Sequence, residues 1–172
     1  MERVCVFIDG SNLYHGLKYE CGNVRIDFAR FVERLIAGRQ LVRAYYYNAV
    51  LHHSADQEAA KNQQRFLESI RKTPYFDVRL GRMEPRGGTF VEKGIDVAIA
   101  VDMLSMAFRN IYDAAVLVSS DGDFVKAVHA VQETGKHVEV ACFAKAYHLR
   151  QTADKVIILD KRSLDGLWIP NQ

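Results

Sequence analysis

Paired cysteines are missing from this chain. Cys5, Cys21 and Cys142 are its only cysteines, odd in number and far apart, and no C-x-x-C pair occurs. That excludes a disulfide framework and suits reduced thiols in a cytoplasmic protein. No group of histidines and cysteines has the ligand spacing of a zinc site, and the adjacent His52 and His53 read as solvated loop. No apolar run reaches the roughly 18 residues of a transmembrane helix, so no membrane partner is expected. Met1-Glu2-Arg3 leads directly into an apolar run at 4–8, which is too short for a signal peptide and suits a first strand. An excess of one charge is also lacking. At a net charge of +2, any affinity for nucleic acid has to come from a local basic patch. No repeat period, low-complexity tract or linker-like stretch divides the 172 residues, so one domain over 1–172 is expected.

What is present is an ordinary globular composition, 49% hydrophobic and 26% charged, long enough to bury a proper core. Short apolar runs suit strands at 3–8, 41–50, 76–80, 113–119, 136–143 and 156–159. Helical patterns fall at 13–19 with Ser11 or Asn12 as cap, at 28–37 after Asp27, and at 57–72. Others run from about 95 to 109 and from 124 to 134, and a final turn is expected near 163–168. The stretch 81–92, with three glycines, two arginines and Pro85, breaks the rhythm and reads as a hairpin or flap. Alternating β and α elements with strands apolar on both faces imply a Rossmann-like three-layer α/β/α sandwich around a mostly parallel sheet.

Ligands of such sheets bind at the carboxyl ends of the strands. Val116-Leu117-Val118-Ser119-Ser120 ends there in Asp121 and Asp123, and the first strand ends in Asp9. Asp96 lies in the first turn of the helix that precedes 113–119, so it too can reach that end. Asp102, six residues further on, points about 240° away from Asp96 on a 3.6-residue helix and is a lesser candidate. Each acid alone has an ordinary explanation as a cap or turn former. Gathered in one pocket they repel, by roughly 3 kcal/mol per pair at about 5 Å and an effective dielectric of 20. Such a site either protonates or binds cations. An all-oxygen donor set favours Mg²⁺ or Mn²⁺, ions suited to phosphodiester hydrolysis.

The residues Val6-Phe7-Ile8-Asp9-Gly10-Ser11-Asn12, Lys93-Gly94-Ile95-Asp96-Val97-Ala98 with Asp102-Met103-Leu104, and Leu117 through Phe124 resemble the NYN domain. The likeness is closest to its bacterial LabA-like branch, within the PIN-like nuclease superfamily, and the tail from Leu149 to Ile157 shares it. The resemblance implies a PIN-like fold with strand order 3-2-1-4-5, which makes the first and fourth strands neighbours. It implies a metal-dependent endoribonuclease, a hydrolase with Asp9, Asp96, Asp121 and Asp123 as catalytic metal ligands for Mg or Mn. Asn12 would orient or bind near the first acid, and Ser119 or Ser120 would support a ligand or phosphate.

Lys18, Arg79, Arg82, Arg86, Lys93, Lys145 and Arg150 fall in loops or at element ends. Lys93 and Arg150 are the substrate-binding cations singled out for gripping RNA. Tyr14, His15 and Tyr147 are candidate stacking platforms for bases, Tyr45–Tyr47 suit strand packing, and Phe124 suits burial beneath the acidic loop. The alternative reading is a non-catalytic regulator that binds RNA or protein in the same cleft. An aspartyl phosphatase would want a second acid two residues after Asp9, where Ser11 stands. The hairpin and exposed apolar edges suit a homodimer.

Overall fold

The computed structural model describes residues 1–50 and 56–170, so His52 and His53 lie outside the described residues. The strands are β1 (Arg3–Asp9), β2 (Gln40–Ala49), β3 (Phe76–Arg86), β4 (Thr89–Lys93), β5 (Ala114–Val118), β6 (His137–Cys142) and β7 (Lys155–Ile158). They form one sheet in the order β4-β3-β2-β1-β5-β6-β7. Every neighbouring pair is parallel except β3 with β4, which form an antiparallel hairpin. The expected order 3-2-1-4-5 is the central run β3-β2-β1-β5-β6, with one further strand added at each edge.

The pleat of β1 divides the interior in two. Val4, Val6 and Ile8 face one core, shared with the helices α1 (Gly10–Gly16), α2 (Phe28–Ile36) and α3 (Gln57–Lys72) through Leu13, Phe31 and Leu67. Cys5 and Phe7 face the other core. There Ile99 and Met103 of α4 (Ile95–Phe108), Val128 of α5 (Val125–Glu133) and Leu149 of α6 (Tyr147–Thr152) meet them. Helices therefore cover both sides of the sheet, as in the expected sandwich. All three cysteines are free and buried, and no described helix is long and apolar enough to cross a membrane.

Local differences from expectation have physical causes. The first helix begins at Gly10, so Asp9 is its cap in place of Ser11 or Asn12. Gly10 is where the chain leaves β1 against β2. A Cβ there would stand 2.5 Å from the Tyr46 ring and 2.6 Å from the Tyr47 carbonyl oxygen, so only glycine fits this approach. A π-helical turn, Leu17–Cys21, extends α1 to the left-handed Gly22. Strand β3 runs to Arg86, because the expected excursion is a continuous ribbon with β4, turned at Gly87 and Gly88. Tyr147 and Arg150, read as loop residues, lie on the short helix α6.

Towards the N-terminal ends of the strands, far from Asp9, Glu139 is a buried acid of β6. Both its oxygens accept from Arg39, Nη1 at 2.8 Å and Nη2 at 3.0 Å.

Candidate metal centre

Val4–Ile8 of β1 lies in register with Ala114–Val118 of β5, so the two strands deliver their ends side by side. Asp9 is the last residue of β1, and Ser119 to Asp123 follow the end of β5. Asp9 is buried and both its oxygens are engaged. Oδ1 accepts from the Asn12 amide at 3.3 Å, and Oδ2 accepts from the Ser119 hydroxyl at 3.1 Å. Ser119 Oγ in turn accepts from the Asp121 amide at 3.2 Å, and Asp121 Oδ1 accepts from the Asp123 amide at 2.9 Å. A second chain of bonds runs beside it. The Ser120 amide donates to Asn12 Oδ1 at 2.9 Å, and the Phe143 amide donates to Ser120 Oγ at 3.0 Å. Asn12, Ser119 and Ser120 thus hold the acidic loop in place, with Phe124 buried beneath it.

Asp96 arrives from the other direction. Gly94, at φ 84°, turns the chain out of the hairpin, and Asp96 stands in the first turn of α4. Carboxylate oxygens of Asp96, Asp121 and Asp123 all lie within 4.8 Å of one another. Burial, followed by the charges of Asp121 and Asp123, pushes the Asp96 carboxyl above its usual range. Asp9 is not part of that close trio, but it feels the same field. Burial foremost raises it from 3.8 to about 6, against the Asn12 and Ser119 hydrogen bonds, and Asp96 and Glu92 add to the rise.

Glu92 is an acid that sequence reasoning missed. It sits in β4, where burial and the charge of Asp96 raise its carboxyl while hydrogen bonds from Ser11 and the Ala49 backbone oppose the rise. Among the described residues its Oε1 is buried without a hydrogen-bond partner. Its position four residues before Asp96 was a signal, but only the pairing of β3 with β4 carries it inward. An orphaned carboxylate oxygen beside an all-oxygen cluster fits a hard divalent cation.

Other candidates stand elsewhere. Asp102, the lesser candidate, accepts from the Tyr47 hydroxyl at 2.7 Å and from Arg79 Nη1 at 2.9 Å, and its carboxylate is not among the three that approach one another. The offset of about 240° on α4 accounts for this. Lys93 is half-exposed, 3.6 Å from Glu84. Arg150 donates to the Ala144 carbonyl at 2.9 Å from an exposed position on α6. Tyr14 and Tyr147 are exposed, whereas Tyr45, Tyr46 and Tyr47 are buried in packing.

A model of the NYN domain matches residues 3–160. The chain belongs to the NYN domain family. Low amplitude and bright protein LabA from Synechococcus elongatus is 27% identical over 169 residues, covering 92% of this chain and 84% of LabA. A Vibrio parahaemolyticus protein of unknown function has a crystal structure with the same fold. Its TM-score is 0.75 at 24% identity, over 98% of this chain and 96% of that one. NYN membership makes the fold PIN-like and points to a nuclease-like, RNA-related function. The acidic trio, from the loop after β5 and the first turn of α4 in this NYN domain, is of a kind that could hold a metal ion.

The raised Asp9 predicts a pH dependence. Between about pH 4 and 6 native Asp9 keeps a proton that the unfolded chain releases. Stability therefore falls as pH rises through that window and is flat above it, by roughly 3 kcal/mol in total. Asp9→Asn keeps the cap and removes the charge. In EDTA the variant is expected to melt above wild type at pH 8 and level with it at pH 4. Equal melting points at pH 8 would show that Asp9 is not ionised at a cost.

Proposed function

We propose that this NYN domain is a metal-dependent endoribonuclease, with Asp96, Asp121 and Asp123 holding Mg²⁺ or Mn²⁺ and Asp9 and Glu92 facing the same cleft. The observation that carries the reading is the mutual approach of three carboxylates within 4.8 Å, two from the loop that follows β5 and one from the first turn of α4. A bound divalent ion would activate water and neutralise charge on the phosphodiester's attacking and leaving oxygens. The chain's own groups do the rest. Asp9, fixed by Asn12 and Ser119, keeps the floor of the cleft negative when ionised and opposes anions unless a cation is present. Its carboxyl, raised towards neutrality, is suited to accept a proton from attacking water. Ser120 and Asn12 keep the loop from relaxing away from Asp96. Lys93 and Arg150 are the cations that would grip flanking RNA phosphates.

Labelled single-stranded and hairpin RNAs incubated with Mn²⁺ or Mg²⁺ test the reading. Internal cleavage that EDTA abolishes is expected. Tight, metal-independent RNA binding without turnover is the signature of the regulator instead.

A further inference from the structure

We propose that the outer face of α4 is a dimer interface, on which a second copy of this chain packs its own α4 antiparallel. The inference is independent of the nuclease reading. Helices α2, α3 and α5 turn charged side chains outward, among them Glu33, Lys61, Arg65 and Lys126. Helix α4 differs. Its inner face is buried through Ile95, Ile99, Met103 and Met106, yet Val97, Val101 and Phe108 on the opposite face are 66%, 57% and 74% exposed. A helix that is apolar on both faces is normally covered on both.

The spacing on that face selects the partner. Val97, Val101, Leu104 and Phe108 follow one another at intervals of four, three and four residues, which makes one seam along an α-helix. The series reads the same from either end. A two-fold axis across its middle therefore sets an antiparallel copy against it in register. Val97 of one copy then meets Phe108 of the other, and Val101 meets Leu104, a smaller side chain against a larger one in every layer. Ala98, Ala100 and Ser105 flank the seam and are small enough for the two helix axes to approach to about 8 Å.

Charge agrees with that direction. Asp96, with Asp121 and Asp123, stands at the start of α4. At its end Arg109 is exposed, and Asn110 accepts from Arg3 and Lys136, with Asp113 offsetting one of these cations. A parallel pair would bring two acidic trios together, whereas the antiparallel pair sets each trio at the level of the other copy's basic end. The three exposed side chains leave roughly 350 Å² of apolar surface in water, the size of the largest patch on many monomers. Two copies cover about 700 Å² of it, and the half-buried Ala100 and Leu104 add to the seam. A specific interface needs about 1,200 Å² in all, so this pair is a reversible one, formed on the order of 10 μM.

Sedimentation equilibrium of the full chain, without RNA or metal, tests the interface. Wild type is expected to pass from monomer to dimer across about 1–100 μM. Val101→Glu puts a charge in the middle of the seam at an exposed position and favours the helix. It is expected to melt as wild type does by circular dichroism and to weaken dimerisation by at least about 100-fold. Phe90→Ser, on the edge strand β4, is expected to dimerise like wild type. Mild oxidation reads the orientation, since the native cysteines are buried. A mixture of Val97→Cys and Phe108→Cys proteins is expected to cross-link, and Val97→Cys alone is not. A monomer at every concentration up to about 500 μM overturns the second copy as occupant. A dimer that survives Val101→Glu, or is lost in Phe90→Ser, overturns α4 as the interface. Cross-linking of Val97→Cys alone overturns the antiparallel pairing. RNA cleavage does not enter the readout, so failure of the nuclease reading leaves this result intact.

Discussion

Asp121→Asn is expected to lower Mn²⁺-dependent RNA cleavage by about 100- to 1000-fold while the protein stays folded. Asparagine keeps the shape and the oxygen that accepts from the Asp123 amide, so the turn into the following helix survives. The Ser119 hydroxyl still accepts from the backbone amide of residue 121. Only the charge is lost, and it is lost from a trio that shares one small volume. Metal-borne stabilisation of developing charge amounts to several kcal/mol. Weakening it by about 3–4 kcal/mol gives the stated factor, at 1.36 kcal/mol per tenfold in rate. The check is kcat/KM at saturating Mn²⁺, with a circular dichroism melt alongside. Activity within tenfold of wild type would remove Asp121 from the metal centre.

Arg39→Met should cost about 3 kcal/mol of stability with no effect routed through the acidic cleft. Glu139 is 2% exposed and takes a two-point hydrogen bond from the Arg39 guanidinium. Losing one partner of a buried pair costs roughly 3–5 kcal/mol, because the other charge is stranded. His137 at 3.4 Å and Lys155 at 3.5 Å offer Glu139 partial relief, which places the expectation at the lower end. For a chain of this size the loss corresponds to a fall in Tm of roughly 6–12 °C. Replacing both partners, Arg39→Met with Glu139→Leu, should recover most of it, since an apolar pair leaves no stranded charge. Urea unfolding of the three proteins decides this. A loss under 1 kcal/mol in the single variant would mean that Glu139 does not depend on Arg39.

Legibility in the sequence followed the range of the interactions. The run at 114–118 is buried along its whole length, and such a run announces a central strand locally. The offset between Asp96 and Asp102 is a property of one helix, so it too was readable. Asp102's actual partners were not, because Tyr47 and Arg79 come from two separate strands. The adjacency of Asp9 and the acidic loop depends on the pairing of β1 with β5, more than a hundred residues apart, and only the family resemblance supplied it. Gly10 reads as a turn residue by type. Its role appears only where β2 presses against it, and this is why the helix begins earlier than a Ser or Asn cap would suggest. Glu92 was hidden by its setting in a Gly-rich excursion, whose antiparallel pairing turns it towards the acids. The short helix α6, with Leu149 as its one buried residue, carries too few periodic positions to stand out.

A metal centre here requires a cation among the acids that follow β5 and the first-turn acid of α4. In a crystal soaked with Mn²⁺ the anomalous difference map is expected to show a peak bounded by Asp96, Asp121 and Asp123. A map with no peak there, from crystals of protein that cleaves RNA in the same Mn²⁺ buffer, would contradict it.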